Sequence, residues 1–280
     1  MKKAIVVIVY GARYEEMFKK WFYPDWKAYA KKFDFDILVI DKLIDTSERA
    51  RKRSAAWQKC ILHRNPEVCK YDQIAWVDAD IRINIESPNI FDSSPIDKIS
   101  AVDAWGTPSR EENDLLLTRL YAQWDAQGVK YIKNLTPQEF HGAYGLNCDK
   151  NYVVNTGVMV FTPAISKDLF ERVYNNYEER GEGSWNMEMR PLSYEILESG
   201  LVNWLNPRFN IVWLRSAQLY YPFLDLPRYK RFNRRIMKFL PFLKSMDPRP
   251  DCVQALFANS YFLHFAGNSP DFALIPLQSK

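Results

Sequence analysis

A chain of 280 residues, 47% of them apolar and 15% aromatic, can bury the core of one large α/β domain or two small ones. A formal net charge of +4 is too small to argue for nucleic acid, no nucleic-acid-binding motif is present, and no nucleic acid is expected as a partner. No run reaches the roughly 18–20 apolar residues that span a bilayer, and the scattered Cys60, Cys69, Cys148 and Cys252 suggest neither a zinc site nor a disulfide framework, which fits a reducing, cytoplasmic setting.

The first ten residues carry charges and a short apolar run in the manner of a signal peptide, but the run is too brief and no small-residue cleavage site follows. They predict a buried strand over Lys3 to Tyr10 that stops at Gly11. A helical stretch follows, with Phe18, Trp21, Phe22, Trp26, Tyr29 and Phe33 near helical spacing despite Pro24. A second strand runs from Phe35 to Ile40 and ends on Asp41. Ser54 is placed to cap a helix over Ala55 to His63, and the apolar strand beginning at Ile74 comes next. Such β-α-β-α-β alternation predicts a parallel sheet with right-handed crossovers.

A turn-rich stretch with Pro88 and Pro95 leads to a short strand over Ile99 to Val102 and a helix over Glu111 to Ala126. Residues 128–150 show no clean period and read as a long surface segment. Periodicity returns in a strand over Tyr152 to Phe161, interrupted by Asn155-Thr156-Gly157, where a glycine marks a bulge or a close backbone approach. Helices over Lys167 to Tyr177 and Leu192 to Ser199 flank a polar break at Gly181 and Gly183, and Gly200 closes the second of them. Asn206 to Trp213 reads as loop into strand. No repeat, low-complexity tract or separating linker is visible.

The strand Ile74-Ala75-Trp76-Val77 runs into Asp78-Ala79-Asp80. Strand alternation would send both carboxylates to one side, where they would form either a solvated pair or the hard oxygen ligands of a divalent cation. The apolar run before them suits a central parallel strand, and ligands of open α/β sheets bind beyond the carboxyl ends of such strands. A cation held there can grip the diphosphate of a nucleotide, which suggests sugar transfer from a nucleotide diphosphate.

Four places in order carry a resemblance: Ala56-Trp57-Gln58-Lys59, Trp76-Val77-Asp78-Ala79-Asp80, Asn155-Thr156-Gly157-Val158 and Phe262-Leu263-His264-Phe265-Ala266-Gly267. Together they resemble glycosyltransferases of the GT-A fold with a DxD motif. The chain is most similar to the fungal Golgi galactosyl/mannosyltransferases and the xyloglucan xylosyltransferases, and more distantly to glycogenin-like families.

The resemblance implies an α/β, Rossmann-like domain with a mostly parallel sheet over residues 1–270. Residues 1–83 would form the nucleotide half, 84–215 the sugar and acceptor half, 216–250 a basic amphipathic helical segment, and 258–270 a metal-ligand strand and loop. It implies Asp80 and His264 as ligands of Mn²⁺ or Mg²⁺, with Asp78 toward the metal or the ribose. Two carboxylates and an imidazole suit Mn²⁺ and tolerate Mg²⁺. Lys59 would bond phosphate or ribose, Asp41 the nucleoside, Tyr10 and Gly11 would face the base, and Asn155 the sugar or acceptor. The donor would be a nucleotide-diphosphate sugar, a UDP-sugar before GDP-mannose, and the acceptor a saccharide, glycoconjugate or lipid-linked saccharide.

One departure stands out. Related families carry an acidic or amide pair in the helix after the Asn-Thr-Gly strand, whereas this chain reads Arg190-Pro191-Leu192-Ser193-Tyr194-Glu195-Ile196-Leu197. Glu195 is the remaining candidate there, with Glu188 behind it. Retention, which the resemblance implies, lets the departing phosphate take the acceptor proton; inversion would need Glu195 or Asp103 as base.

Residues 228–244 hold the densest positive charge. Wound as a helix, Tyr229, Phe232, Ile236, Phe239, Leu240 and Leu243 form a stripe roughly 100° wide with Arg and Lys around it. The segment would lie on an anionic membrane surface, making the protein peripheral, or pack on the domain with its basic face in water. Two further readings are an idle GT-A relative serving as a membrane-associated saccharide-binding or scaffold protein, and a nucleotidyltransferase. For the latter Gly11-Ala12-Arg13 is too meagre a phosphate loop.

Overall fold

The computed structural model describes residues 1–180, 188–225, 247–267 and 269–278. The basic segment at 228–244 and the break at Gly181 and Gly183 lie outside them. Among the described residues, no helix is long and apolar enough to cross a membrane, and all four cysteines are free thiols.

The larger sheet contains β1 (Lys3–Ile8), β2 (Asp36–Ile40), β3 (Gln73–Val77), β5 (Ile99–Asp103), β6 (Val154–Phe161) and β7 (Val202–Trp204), in the order β2-β1-β3-β6-β5-β7. A three-stranded sheet joins β4 (Ile81–Ile83), β9 (Phe262–His264) and β8 (Ile211–Val212) in the order β4-β9-β8. Strands β2, β1 and β3 are mutually parallel, and β7 is parallel to β5, while β6 runs antiparallel between β3 and β5. The parallel part is the one the β-α-β-α-β alternation predicts.

Both faces of this sheet are covered, which is why β1 and β3 are continuous apolar runs. Ile5, Val7, Ala75 and Val77 pack on one face with Trp26 and Tyr29 of the helical stretch 12–33 and with Phe257 and Phe262. Ala4, Val6, Ile74 and Trp76 pack on the other with Trp57, Leu169, Phe170 and Leu192. Period-two alternation therefore sorts one strand between two cores.

Several expectations are corrected in detail. The helical stretch over 12–33 passes through a π-turn at Phe18–Phe22 just before Pro24, whose missing N–H the wider turn accommodates. Residues Ala55–Arg64 form a 3₁₀ segment rather than an α-helix, and Ser54 does not cap it: its hydroxyl is buried without a partner. Trp57 through Leu62 are all buried, so no outward stripe exists for an amphipathic α-helix to present. Within 128–150, Pro137–Gly142 is helical, with Thr136 Oγ1 accepting from Glu139 N at 3.1 Å and Glu139 Oε2 from Leu135 N at 2.6 Å. That is a capping arrangement written in the sequence as Thr-Pro-Gln-Glu.

A buried ion pair ties the end of the chain to β4. Arg82 bonds Asp25, and its other N–H groups donate to the carbonyls of Phe272 at 2.9 Å, Ile275 at 3.1 Å and Pro276 at 3.0 Å. Both charges are fully buried, so the added backbone acceptors matter in offsetting their desolvation.

The helix Pro163–Asn176 is fastened to the 3₁₀ segment by Glu171, whose carboxylate meets His63 Nε2 at 2.7 Å and Arg64 Nε at 3.0 Å. The Arg64 guanidinium holds this carboxyl down at about 2. A depressed carboxyl pKa contributes stability above its ordinary value near 4.5, and that stability is lost as pH falls toward 2. Glu171→Gln should therefore cost about 1 kcal/mol at pH 7, a modest figure because the pair is partly exposed. In urea titrations the gap from wild type should narrow steadily between pH 4.5 and pH 3; a gap independent of pH would contradict the assignment.

Candidate active site

Strand β3 ends at Val77, and Asp78, Ala79 and Asp80 form a turn into β4. The two carboxylates thus converge through a turn rather than through continued strand alternation. Asp78 N donates to Gly157 O at 2.9 Å, and Asp80 O accepts from Phe265 N at 2.9 Å, so both ends of the turn are pinned by backbone. Antiparallel pairing of β4 with β9 sets Ile81 opposite His264. His264 Nε2 then lies 3.1 Å from Asp80 Oδ1 and 4.0 Å from Asp78 Oδ2. One ligand atom from each of Asp78, Asp80 and His264 falls within 4.8 Å of the others.

The donor set fits a divalent cation. Asn210, in the 3₁₀ turn Pro207–Asn210, accepts from His264 Nδ1 through its Oδ1 at 3.1 Å. Donation from Nδ1 leaves Nε2 facing the carboxylates, where it bonds Asp80 when protonated and would offer its lone pair to a cation held between them, the usual arrangement of a metal-binding imidazole. Burial alone would lower the imidazole pKa, but the Asp80 and Asp78 carboxylates outweigh it and hold His264 above its ordinary value. For Asp80, burial is outweighed by His264 and the carboxyl stays low; for Asp78, burial prevails over Lys59 and raises it.

Gly157 makes room for this imidazole. Ala101 pairs with Met159 but Val102 with Asn155, so the Asn-Thr-Gly stretch bulges from β5, as the interrupted periodicity predicts. A Cβ on Gly157 would sit 2.9 Å from His264 Cε1 and 3.2 Å from Asn210 Nδ2. Gly157→Ala should therefore displace the ring and weaken Mn²⁺ binding by about 10–100-fold, the range for disturbed support of a metal ligand. Titration calorimetry with Mn²⁺ on the folded variant checks this, and unchanged affinity would remove His264 from the site.

Lys59 is buried behind Asp78. Its ammonium meets Asp78 Oδ1 at 3.1 Å, Thr156 O at 3.2 Å and Glu188 Oε1 at 2.8 Å, and Glu188 also accepts from Thr156 Oγ1 at 2.9 Å. Trp76 Nε1 gives Asp78 Oδ1 a further bond at 2.9 Å. Burial would lower the lysine, but Asp78 and Glu188 more than reverse this and keep it charged. With its three N–H donors spent, Lys59 is a counter-ion that orients Asp78 rather than a group free to bond phosphate or ribose.

The remaining candidates divide. Tyr10 and Gly11 follow β1, and Asp41 follows β2; all three are exposed at the carboxyl end of the parallel strands, the end from which Asp78 emerges. Gly11 has φ of 102°, a conformation open to glycine. Asn155 accepts from Gly157 N at 3.1 Å and lines a cavity with Asn210 and Arg215. Asp103 organises the loop after β5, accepting from Trp105 N at 3.0 Å and Val153 N at 3.2 Å, and burial pushes its carboxyl up. Glu195 is engaged elsewhere: it bonds Tyr177 Oη at 2.6 Å and Arg172 Nε at 3.0 Å, linking the helix Met189–Glu198 to Pro163–Asn176. Of Glu188 and Glu195, it is Glu188 that reaches Lys59. Sequence reasoning did not single out Asn210, because nothing local marks an asparagine that meets a histidine 54 residues away.

No family model matches the sequence, and no curated protein sequence is significantly similar to it. Solved structures do match. A glycosyltransferase involved in glycosylation of the major capsid of PBCV-1 aligns over 98% of this chain and 98% of its own, with 11% identity and a TM-score of 0.51. The bifunctional glycosyltransferase WbbM aligns over 96% of this chain and 46% of its own, with 11% identity and a TM-score of 0.54. The chain has the GT-A fold. At such identities the likeness is one of fold, and the chemistry rests on the site itself.

Proposed function

We propose that the protein is a glycosyltransferase that moves a sugar from a nucleotide-diphosphate donor, preferably a UDP-sugar, to a saccharide acceptor with the help of Mn²⁺ or Mg²⁺. One observation carries this reading: Asp78, Asp80 and His264 Nε2 converge beyond the carboxyl end of a parallel strand in a GT-A fold. Held by these three residues, the cation would supply charge to offset what develops on the departing diphosphate.

The chain's own groups serve that end. Asn210 sets the His264 tautomer, Lys59 keeps Asp78 aimed and balances it, and Glu188 balances Lys59 in turn. Tyr10, Gly11 and Asp41 would meet the nucleoside at the exposed strand ends, and Asn155 would face the sugar. Since Glu195 is tied to Arg172 and Asp103 to its own loop, retention is favoured, the acceptor proton passing to the leaving phosphate.

Hydrolysis of UDP-glucose, UDP-galactose, UDP-xylose and GDP-mannose with Mn²⁺ or EDTA tests the proposal. Metal-dependent release of UDP or GDP from at least one donor is expected. Absence of both turnover and metal-dependent nucleotide binding across the panel would favour a catalytically idle, saccharide-binding relative.

A further inference from the structure

A second cavity, of about 150 Å³, lies beside the one lined by Asn155 and Asn210, and the two share Ala104 and Arg215. Trp105, Tyr121, Trp124, Tyr131 and Phe140 contribute to its wall. A single water needs roughly 10–15 Å³, so there is space for a larger polar group, and aromatic faces suit the C–H surface of a sugar ring.

Arg190 and Arg215 are among the residues that line this aromatic cavity. Arg190 is 1% exposed, donates to Asn134 Oδ1 at 3.3 Å and to the Phe140 carbonyl, and leaves its Nε buried without a partner. Arg215 donates to Ala104 O at 3.1 Å and to Asn113 Oδ1. Among the described residues, neither arginine forms an ion pair with a carboxylate within 4.0 Å. Burial pushes both guanidiniums down to about 10, the mark of positive charge held at a cost. The Phe140 ring lies 4.3 Å from Arg190 Cζ but offers Nε no acceptor, and a buried donor without one is a place for a ligand oxygen or a water to serve.

We propose that this cavity binds the anionic group of a saccharide, a carboxylate or a phosphate ester, and so selects an acidic acceptor. The planar Arg190 and Arg215 forks would bond its oxygens while the rings pack on the sugar. The proposal rests on the glycosyl-transfer reading for the word acceptor, but the anion site itself does not. Its position next to the cavity that holds Asn155 and Asn210 would leave the neutral end of the acceptor toward the cation site.

Titration calorimetry on the full chain, without metal or nucleotide, tests it with glucose, glucuronate, galacturonate, glucose 6-phosphate and inorganic phosphate. The anionic sugars are expected to bind at least tenfold tighter than glucose, and Arg190→Met to weaken them at least tenfold while leaving nucleotide binding unchanged. Preference for the uronates identifies a carboxylate ligand, and preference for glucose 6-phosphate a phosphate ester. Equal binding of glucose and the anionic sugars by wild type would overturn the proposal, as would anionic binding unaffected by both Arg190→Met and Arg215→Met. Should Arg190→Met not fold, the wild-type comparison decides. Anion binding without turnover of any sugar nucleotide would sink the transferase reading and leave the anion site standing.

Discussion

Replacing Asp80 by asparagine should lower metal-dependent turnover at least about 100-fold while leaving the protein folded. The turn that carries Asp80 is pinned by backbone bonds, from Phe265 N to Asp80 O and from Asp78 N to Gly157 O, and these survive a change of side chain. What Asp80→Asn removes is negative charge at the oxygen 3.1 Å from His264 Nε2. Disturbing a group that only supports a metal ligand costs roughly 10–100-fold in affinity or activity, so losing a ligand's charge should cost at least about 100-fold. Mn²⁺ titration and sugar-nucleotide hydrolysis, with circular dichroism as the check on folding, provide the comparison. A folded Asp80→Asn variant with wild-type turnover would refute the proposed cation site.

Lys59→Met should have the largest effect on stability. The ammonium lies between Asp78 and Glu188 with its side chain and that of Glu188 almost wholly buried. Methionine keeps much of the volume but leaves the buried Glu188 carboxylate without its counter-ion, while Asp78 retains His264 4.0 Å away. Removing one partner of a buried charge cluster costs about 3–5 kcal/mol, chiefly because the remaining charge is stranded. Adding Glu188→Gln to Lys59→Met should restore most of that loss, since the stranded charge is then gone and the amide oxygen can still accept from Thr156 Oγ1. Denaturant titrations of the two single variants and the double variant give the coupling directly. Additive losses would mean that Lys59 and Glu188 do not act as a unit.

Legibility in the sequence followed the range of the interaction. The strands β1, β2 and β3 and the helices Arg110–Gln127 and Met189–Glu198 lie close to where periodicity puts them, because each depends on neighbours within a few turns of chain. The bulge at Asn155-Thr156-Gly157 was legible from a glycine inside an apolar strand. The 3₁₀ segment at 55–64 was not, because its residues answer to burial on every side rather than to a helical stripe. Nor was the choice between Glu188 and Glu195: both are acidic residues near one helix, and only packing against Arg172 or Lys59 separates them.

The cation site shows the division most clearly. Sequence alone determined that two carboxylates follow the end of a buried strand, since an apolar run and its polar stop are local properties. The resemblance implies His264 beside them, but only tertiary structure brings its imidazole to the two carboxylates and supplies the groups behind it. The β4-β9-β8 sheet brings His264 opposite Ile81, Asn210 reaches the imidazole across 54 residues, and Lys59 reaches Thr156 across 97. Such contacts leave no periodic trace in the chain, because they are chosen by the register between distant strands and by the need of each buried charge for a partner.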